Sequence, residues 1–337
     1  MVNSRVIENL EPATAYYFVV GDDRNVGRRM WFLTAPDTPG KPFSIVAGGD
    51  SRTNRRPRRE GNKLVAKLRP LFVLFGGDFI AKASSERQWR RWFDDWQHTI
   101  ADDGRSIPIV AAQGNHEYTE SVARLFNTPR EVVYALTIGG DLLRVYTLNS
   151  QLKNEEEQAR WMRKDIEEND VWLRMAQYHR PVRPHRWRKP DGKAQYRHWV
   201  PIFDEYRFAL THESDAHTVK TTWPIIASSD AAADDGFIRD PAGTVYIGEG
   251  CWGAPLRSCD DPRSWTRQCG EEPFDGFHLM YVSKGTVEIR TVKFENVDRV
   301  ESISDDWLLR EPDNLSVWNQ GGHRVITVER EHAVALP

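Results

Sequence analysis

Short apolar runs alternate with amphipathic stretches from residue 43 onwards. The apolar runs have the length of buried strands and cover residues 43–48, 71–75, 107–112 and 172–178. The stretches between them have helical character near residues 60–68, 86–99 and 154–168. This alternation predicts an α/β fold in which each strand delivers polar residues from its C-terminal end.

One of the predicted helices has an aromatic stripe. Trp89, Trp92, Phe93 and Trp96 follow the spacing i, i+3, i+4, i+7, which places all four rings on one helix face. Apolar residues at this spacing usually pack against a core. The stripe is therefore predicted to be buried rather than to form a binding surface.

The first 42 residues have a different pattern. Residues 15–20 and 30–34 predict two strands, and residues 35–42, which contain three Pro and one Gly, predict a linker. Two strands cannot stand alone in water, so we interpret residues 1–36 as the end of a β-sandwich domain. An export signal would then lie upstream, and the protein would be periplasmic or secreted; otherwise it would be cytoplasmic.

Composition narrows the class of protein. The 337 residues are 39% hydrophobic and 28% charged, as in a globular protein, and the net charge is −3. This balance gives no strong signal for nucleic-acid binding. No apolar run approaches the length of a membrane span, roughly 18 residues, so no integral membrane protein is expected. The oligomeric state stays open.

Cysteine usage leaves two alternatives. Cys259 and Cys269 lie ten residues apart in a polar segment, which suits a disulfide in an oxidising compartment and leaves Cys251 free. Three reduced thiols in a cytosolic protein fit the spacing equally well. No Cys-x-x-Cys metal pattern is present.

Candidate chemistry is concentrated at the ends of the predicted strands. Carboxylate, amide and imidazole groups, the donors that divalent metals accept, follow or lie near these ends: Asp50, Asp78, Asn115, His116, His179 and His217. A single Asp after a strand is usually a turn or cap residue. The ordered succession of six such residues instead predicts a metal site.

This succession resembles the ordered motifs of calcineurin-like metallophosphoesterases. The matching segments are Gly49-Asp50-Ser51-Arg52, Gly77-Asp78, Gly114-Asn115-His116-Glu117, Tyr178-His179 and Ser214-Asp215-Ala216-His217. Residues 10–17 and 30–36 are similar to the end of the fibronectin-III-like domain that precedes the catalytic domain of purple acid phosphatases. The resemblance extends over roughly residues 8–295.

The resemblance implies a four-layer αββα metallophosphoesterase sandwich, preceded by the remnant of a fibronectin-III-like β domain. The implied divisions are a β segment at 1–36, a linker at 37–42, a catalytic domain at 43–300 and a C-terminal extension at 301–337, packed on the catalytic domain.

The resemblance also implies a site for two divalent ions, with Mn, Zn, Fe and Mg left open. Asp50 and His217 would bind the first ion, Asn115 and His179 the second, and Asp78 would bridge both. His116 would be the general acid or contact the phosphate. A hydroxide activated by the two ions would attack phosphorus directly, and two ions are suited to stabilising both oxygens of such a displacement.

The last motif departs from the family pattern of Gly-His-x-His. Asp215 takes the place of the first His, and we assign it as a metal ligand because a carboxylate oxygen is a competent donor. His212, three residues earlier, is the alternative ligand. An Asp at this place favours a harder metal such as Mn²⁺ or Mg²⁺.

Two further positions modify the expected chemistry. Ala81 stands where purple acid phosphatases have the Tyr that binds ferric iron, so this protein is not expected to be purple. Arg52 follows the first Asp motif and is assigned to phosphate binding, with an ion pair as the alternative. The basic run at residues 52–59 is interpreted either as an attraction for polyanions or as a solvated loop.

His185 completes the candidate site. It follows His179 by six residues, where relatives place phosphate-contacting histidines, and the alternative is a surface histidine. The combined prediction is a phosphoesterase acting on small phosphate esters, with monoesters favoured. A phosphodiesterase acting on a nucleotide or lipid head group and a catalytically decayed binding relative are the alternatives.

Overall fold

The apolar runs of the sequence form the central strands of two stacked β-sheets. A computed structural model describes residues 4–307 and 309–331. The strands are β1 Ala15–Phe18, β2 Met30–Leu33, β3 Phe43–Gly48, β4 Phe72–Phe75, β5 Ile109–Ala111, β6 Tyr134–Ile138, β7 Leu143–Thr147, β8 Leu173–Gln177, β9 Leu210–His212, β10 Lys220–Thr222, β11 Ile225–Ala227, β12 Phe237–Arg239, β13 Val245–Gly248, β14 Thr266–Cys269, β15 Gly276–Ser283, β16 Thr286–Lys293 and β17 Ile326–Glu329.

The helices lie between these strands, and those at 55–68, 86–96 and 155–168 match the predicted amphipathic stretches, whereas the other three were not predicted. The helices are α1 Arg55–Leu68, α2 Glu86–Trp96, α3 Thr119–Phe126, α4 Glu155–Glu168, α5 Lys193–His198 and α6 Val200–Glu205. Short 3₁₀ turns cover Gln97–Thr99, Val297–Arg299 and Asp305–Trp307. No described helix meets the length and apolarity that a membrane crossing requires.

Each sheet combines parallel and antiparallel strands. The first has the order β17-β16-β15-β3-β4-β5, and β3, β4 and β5 run parallel. The second has the order β14-β10-β13-β9-β8-β7-β6, and β13, β9, β8 and β7 run parallel. Parallel strands present their C-terminal ends at one edge, so loops after β3, β4, β5, β8, β9 and β13 can meet there.

The two sheets and their helices form four layers. Ile45 and Leu74 of the first sheet and Val145 and Met175 of the second share one buried cluster between the sheets. Helices α1, α2 and α3 cover the outer face of the first sheet, and α4 and α6 cover that of the second. The predicted αββα sandwich is confirmed. Trp89 and Trp92 are buried in the outer core of the first sheet, as the stripe predicts.

Strands β1 and β2 form a separate antiparallel pair at the N-terminus, with Ala15 opposite Leu33. Trp31 attaches the pair to the rest of the chain: its backbone N–H donates to Gly104 O at 3.0 Å, and its indole N–H donates to Asp103 O at 3.2 Å. The two strands are thus confirmed, while their origin in a fibronectin-III-like domain stays a prediction.

The C-terminal segment adds β17 to the edge of the first sheet, where Ile326 lies opposite Ile289. Residues 1–3, 308 and 332–337 lie outside the described residues, so part of the predicted N-terminal segment and C-terminal extension does too. The predicted domain boundaries stay predictions.

Of the two interpretations of the cysteines, the structure contains the disulfide. Cys259 and Cys269 are joined, with their Cα atoms 5.5 Å apart, and Cys251 is a buried free thiol. The bond ties the loop after Cys251 to β14.

The basic run after the first motif forms part of a helix rather than a loop. Arg55, Arg58 and Arg59 lie in the first turns of α1, and all three guanidinium groups contact the buried carboxylate of Asp95 on α2. Although burial opposes ionisation, hydrogen bonds from these three arginines lower the pKa of Asp95 to about 2. These three arginines therefore hold α1 against α2, and neither of our interpretations of the run anticipates this.

We expect Asp95→Asn to destabilise the protein by about 3 kcal/mol, because Arg58, only 3% exposed, would lose its counter-charge. The folded pKa of Asp95 lies below its unfolded value, so the stabilisation is present above pH ~4 and is lost as the pH falls towards 2. Urea unfolding of wild type and variant should differ at pH 7 and converge on acidification. Asp94→Asn, an exposed neighbour, is the matched control; an equal effect of both variants would contradict this account.

Candidate metal centre

Three predicted ligands meet where the two sheets present their strand ends. Carboxylate oxygens of Asp50 and Asp78 and a ring nitrogen of His217 all lie within 4.8 Å of one another, and the three residues are buried. Asp50 follows β3, Asp78 follows β4, and His217 lies in the loop between β9 and β10. Both sheets therefore contribute to the cluster, as the topology requires.

A second group of donors shares Asp78 with the first. His179, directly after β8, places Nε2 3.3 Å from Asp78 Oδ1 and 3.0 Å from Asn115 Oδ1. Asp215 Oδ1 lies 3.6 Å from the same nitrogen. The backbone N–H of Asp215 also donates to Asp50 Oδ2 at 2.9 Å, which links the two groups. All six predicted metal ligands are thus brought together.

Backbone carbonyls determine which ring nitrogen of each histidine faces the cluster. Because a carbonyl only accepts, Nδ1 of His179 donates to Gly76 O at 2.8 Å and Nδ1 of His217 donates to Pro255 O at 2.8 Å. In the neutral rings this leaves the lone pair on Nε2, the atom that faces the carboxylates. Such an orientation is typical of metal-ligating histidines.

The arrangement around His179 favours a positive charge. Its Nε2 faces oxygens of Asp78, Asn115 and Asp215. A neutral ring with its proton on Nδ1 would present a lone pair, and no proton, to these three oxygens. Burial opposes protonation, but the charges of Asp78 and Asp50 and a hydrogen bond to Asp215 outweigh it and raise the pKa of His179 to about 10. A metal ion at this place would replace the proton.

The remaining electrostatics fit a cation site as well. Burial opposes ionisation of Asp50, yet hydrogen bonding to His217 and the charge of His179 hold its pKa below the usual value. Burial, together with the charge of Asp50, raises the pKa of Asp78. Asp50 Oδ1 is buried and lies 3.3 Å from His217 Nε2, with no hydrogen bond from any other described residue. A buried carboxylate oxygen beside an imidazole nitrogen is suited to a metal ion.

The backbone is in the left-handed region at four of these positions. The φ angles are +56° at Asp50, +54° at Asp78, +68° at Asp215 and +59° at His217. Non-glycine residues adopt this region at a cost of order 1–3 kcal/mol each, and such residues concentrate at functional sites. The local conformation is therefore maintained by the surrounding contacts rather than by intrinsic preference.

Glu117 supplies contacts of this kind. Its carboxylate accepts backbone N–H groups from Asp78 at 3.1 Å, Ile80 at 3.2 Å and Gly114 at 3.1 Å. Burial and the charge of Asp78 raise the pKa of Glu117 to about 8. Glu117 thus joins the loop that carries Asp78 to the loop that carries Asn115.

A buried ion triad supports the loops from the second sheet. Lys220 Nζ lies 2.6 Å from Glu213 Oε2 and 2.7 Å from Glu249 Oε1, and all three side chains are at most 1% exposed. Glu213 accepts the hydroxyl of Tyr178 at 2.9 Å, and Glu249 accepts that of Thr218 at 2.9 Å. The triad therefore connects the residues beside His179 with those beside His217.

His116 lies at the edge of the cluster with a partly exposed ring. Its Nδ1–H donates to Ala81 O at 2.7 Å, so Nε2 faces inward and lies 3.8 Å from Asp78 Oδ2. The backbone of Ala81 thus orients His116. Arg52 is half-buried, and its backbone N–H donates to Asp78 O at 3.1 Å, so it lies beside the cluster; its role in phosphate binding stays a prediction.

His185 is not brought to the cluster. Its ring is fully buried, contacts Thr266 Oγ1 at 2.7 Å and packs edge-on against Trp265, while its backbone N–H donates to Glu249 at 3.2 Å. Burial, with the charges of Lys220 and Arg263, lowers its pKa well below the ordinary value. His185 therefore packs beside the ion triad, which it contacts through Glu249.

The alternative ligand His212 is also buried, and neither of its ring nitrogens has a hydrogen-bond partner among the described residues. Burial and the charge of His278 lower its pKa to about 3, so the ring is neutral. Of the two alternatives, Asp215 is the one that contacts the cluster.

Lys189 is a site residue that sequence reasoning missed. Its ammonium lies 2.8 Å from Asp215 Oδ1. Although burial opposes ionisation, the hydrogen bond and charge of His179, together with the charge of Lys189, hold the pKa of Asp215 far below its usual range. No spacing rule points to Lys189, which lies in the basic segment 186–189. Only the fold of the loop after β8 brings it to the centre.

Comparison with known proteins agrees with this fold. The sequence profile of the calcineurin-like phosphoesterases matches residues 55–213, a segment that contains Asp78, Asn115, His116 and His179. No curated protein matches the chain significantly in sequence.

Among solved structures, the chain is similar to purple acid phosphatase PPD1 from yellow lupin (Lupinus luteus) seeds, with a TM-score of 0.71 at 14% identity over 96% of this chain. It spans 61% of the length of that phosphatase. PhoD matches with a TM-score of 0.64 at 11% identity, over 84% of this chain and 72% of that one. GAP50 of Plasmodium matches with a TM-score of 0.58 at 10% identity, over 83% and 90%.

Residues 55–213, a little under half of the chain, thus match the calcineurin-like phosphoesterases, and the fold is similar to that of a purple acid phosphatase. The resemblance that the motifs indicate is confirmed. At these identities the solved structures show a likeness of fold alone.

We expect Glu117→Gln to weaken metal binding by about 10–100-fold, because the amide N–H₂ would oppose at least one of the backbone N–H groups that the carboxylate accepts. The measurement is calorimetric titration of the metal-free protein with Mn²⁺ and with Zn²⁺. Glu120→Gln, an exposed change in the first turn of α3, is the control. Equal affinities in both variants would show that Glu117 does not position the ligands.

Proposed function

We propose that this protein is a metal-dependent phosphoesterase that hydrolyses small phosphate monoesters at a centre of two divalent ions. The observation that carries the proposal is the convergence of Asp50, Asp78, Asn115, His179 and His217, with Asp78 common to both groups of donors and each histidine presenting Nε2. Bound ions would lower the pKa of a coordinated water and neutralise charge on the phosphoryl oxygens.

The side chains supply the remaining chemistry. His116 is partly exposed and presents Nε2 at the rim of the cluster, where a proton can reach a leaving oxygen. Arg52, beside the cluster, is the candidate cation for a terminal phosphate, since Arg55, Arg58 and Arg59 are engaged with Asp95 and Lys189 pairs with Asp215. Support for a monoester therefore depends on Arg52.

A binding protein is the second candidate function. Lys189 engages Asp215, so one predicted ligand already has a cation partner, which favours fewer than two ions. GAP50, one of the fold neighbours, is described as the anchor in the inner membrane complex of Plasmodium. A phosphodiesterase remains the alternative among enzymes.

The disulfide supports a further part of the proposal, namely a periplasmic or secreted location. Disulfides persist in oxidising compartments and are rare in the cytosol.

The test is metal analysis of the purified protein together with turnover of p-nitrophenyl phosphate and bis-p-nitrophenyl phosphate in Mn²⁺, Zn²⁺, Fe²⁺ or Mg²⁺. We expect two ions per chain and a preference for the monoester. Asp78→Ala should remove both metal and activity. His116→Ala should keep the metal and lower kcat by roughly 10²–10⁴-fold, because it removes only proton transfer or a phosphate contact.

His98→Ala, an exposed histidine outside the cluster, serves as control and should behave like wild type. At most one ion and no turnover with any metal would favour the binding protein. Full activity in both Asp78→Ala and His116→Ala would refute the assignment of the site.

A further inference from the structure

A groove of about 1030 Å³ opens beside the metal centre. One wall is the loop that follows His179, and the other is the segment 150–155 after β7. Lys189 lines the groove and also contacts the metal centre. Its ammonium lies 2.8 Å from Asp215 Oδ1, and that oxygen lies 3.6 Å from His179 Nε2. A ligand in the groove would therefore be contiguous with a group held at the centre.

The mouth of the groove has an excess of available positive charge. Lys153, Arg180 and Lys193 are exposed, and among the described residues none of them has a carboxylate partner within ion-pair distance. The backbone N–H of Arg180 donates to Ser150 Oγ at 2.9 Å, so the two walls are joined directly beside His179.

The acidic residues of the lining are largely engaged. Asp235 pairs with Arg263 at 2.9 Å, Asp261 pairs with the same arginine at 3.1 Å, and Glu155 accepts the side-chain amide of Gln195 at 3.4 Å. Asp235 also pairs with Arg183 at 3.1 Å, so two arginines balance Asp235 and Asp261. Glu155 and Asp191 keep their negative charges against the three exposed cations, which leaves an excess of one positive charge. The groove therefore favours an anion.

Trp187 adds a flat apolar surface to this cationic lining. It is 61% exposed, and the guanidinium of Arg188 lies 4.6 Å from its ring centroid. The turn that presents it is ordered by hydrogen bonds: Trp187 N–H donates to Asp260 Oδ1 at 3.1 Å, and Lys189 N–H donates to Arg186 O at 2.8 Å. An exposed indole held on an ordered turn is suited to stacking on a planar ring.

We propose that this groove binds the part of the substrate beyond the reacting phosphate, and that the preferred substrates are phosphate esters combining a planar ring with a second anionic group. Arg180, Lys193 and Lys153 hold the second anion, and Trp187 contacts the ring. This specificity rests on the phosphoesterase function proposed above and names its substrate class.

The test compares two probes of nearly equal shape, 4-carboxyphenyl phosphate and 4-carbamoylphenyl phosphate, which differ by one negative charge. In the metal-loaded wild-type protein we expect kcat/KM to be about tenfold higher for the carboxylate, the size of one charge-assisted hydrogen bond. In the double variant Arg180→Gln/Lys193→Gln the ratio of the two values should fall to about one. In Lys164→Gln, which removes an exposed charge on α4 away from the groove, the ratio should stay as in wild type.

A ratio near one in the wild-type protein, or a ratio that the double variant leaves unchanged, would overturn the inference while leaving the phosphoesterase function intact. If neither probe is hydrolysed with any metal, the proposed function fails instead. In that case the role of the groove is tested by calorimetric binding of the two probes to the metal-free protein. Tighter binding of the carboxylate probe that is lost in the double variant supports the inference, and equal binding of the two probes overturns it.

Discussion

Mutual repulsion of buried carboxylates is the constraint on which this site depends. Asp50 and Asp78 are almost completely buried and Asp215 is 9% exposed, and all three converge on a space of a few ångströms. Lys189 is the fixed side-chain cation among their contacts. Charges of one sign in a poorly solvated place raise one another's free energy, so the cluster is stable only with protons or cations between its oxygens. A site built this way is poised to bind divalent ions.

Holding such a cluster together requires support from both sheets. Glu117 fastens the loops after β4 and β5, and the triad of Glu213, Lys220 and Glu249 fastens the loops of the second sheet. The backbones of the loops after β4 and β5 also approach each other closely. A Cβ on Gly114 would lie 2.2 Å from the backbone nitrogen of Asp78. The left-handed conformations at the ligands persist because these contacts over-determine them.

The sequence was sufficient for the main strands and for the residues that meet at the site, because these leave local signals, whereas the four layers followed from the family resemblance. Apolar runs mark strands β3, β4, β5 and β8, and polar residues at their ends mark the site. What it could not show are contacts between segments distant in the chain. Nothing in the sequence around Asp95 indicates that its carboxylate contacts three arginines of α1. The burial of His185 likewise depends on Trp265, which lies eighty residues later in the chain. Lys189 likewise reaches Asp215 only through the path of its loop.

The pairing of Asp215 with Lys189 changes how the unusual last motif is understood. A neutral histidine at this position would contribute no charge, whereas Asp215 contributes one negative charge and Lys189 one positive charge, so the net charge beside His179 is the same in both cases. The pair of Asp215 and Lys189 thus offers an oxygen in place of a nitrogen. The net charge that two divalent ions would encounter stays the same. The same ammonium also faces the groove, which couples the charge balance of the centre to the recognition of a second anion.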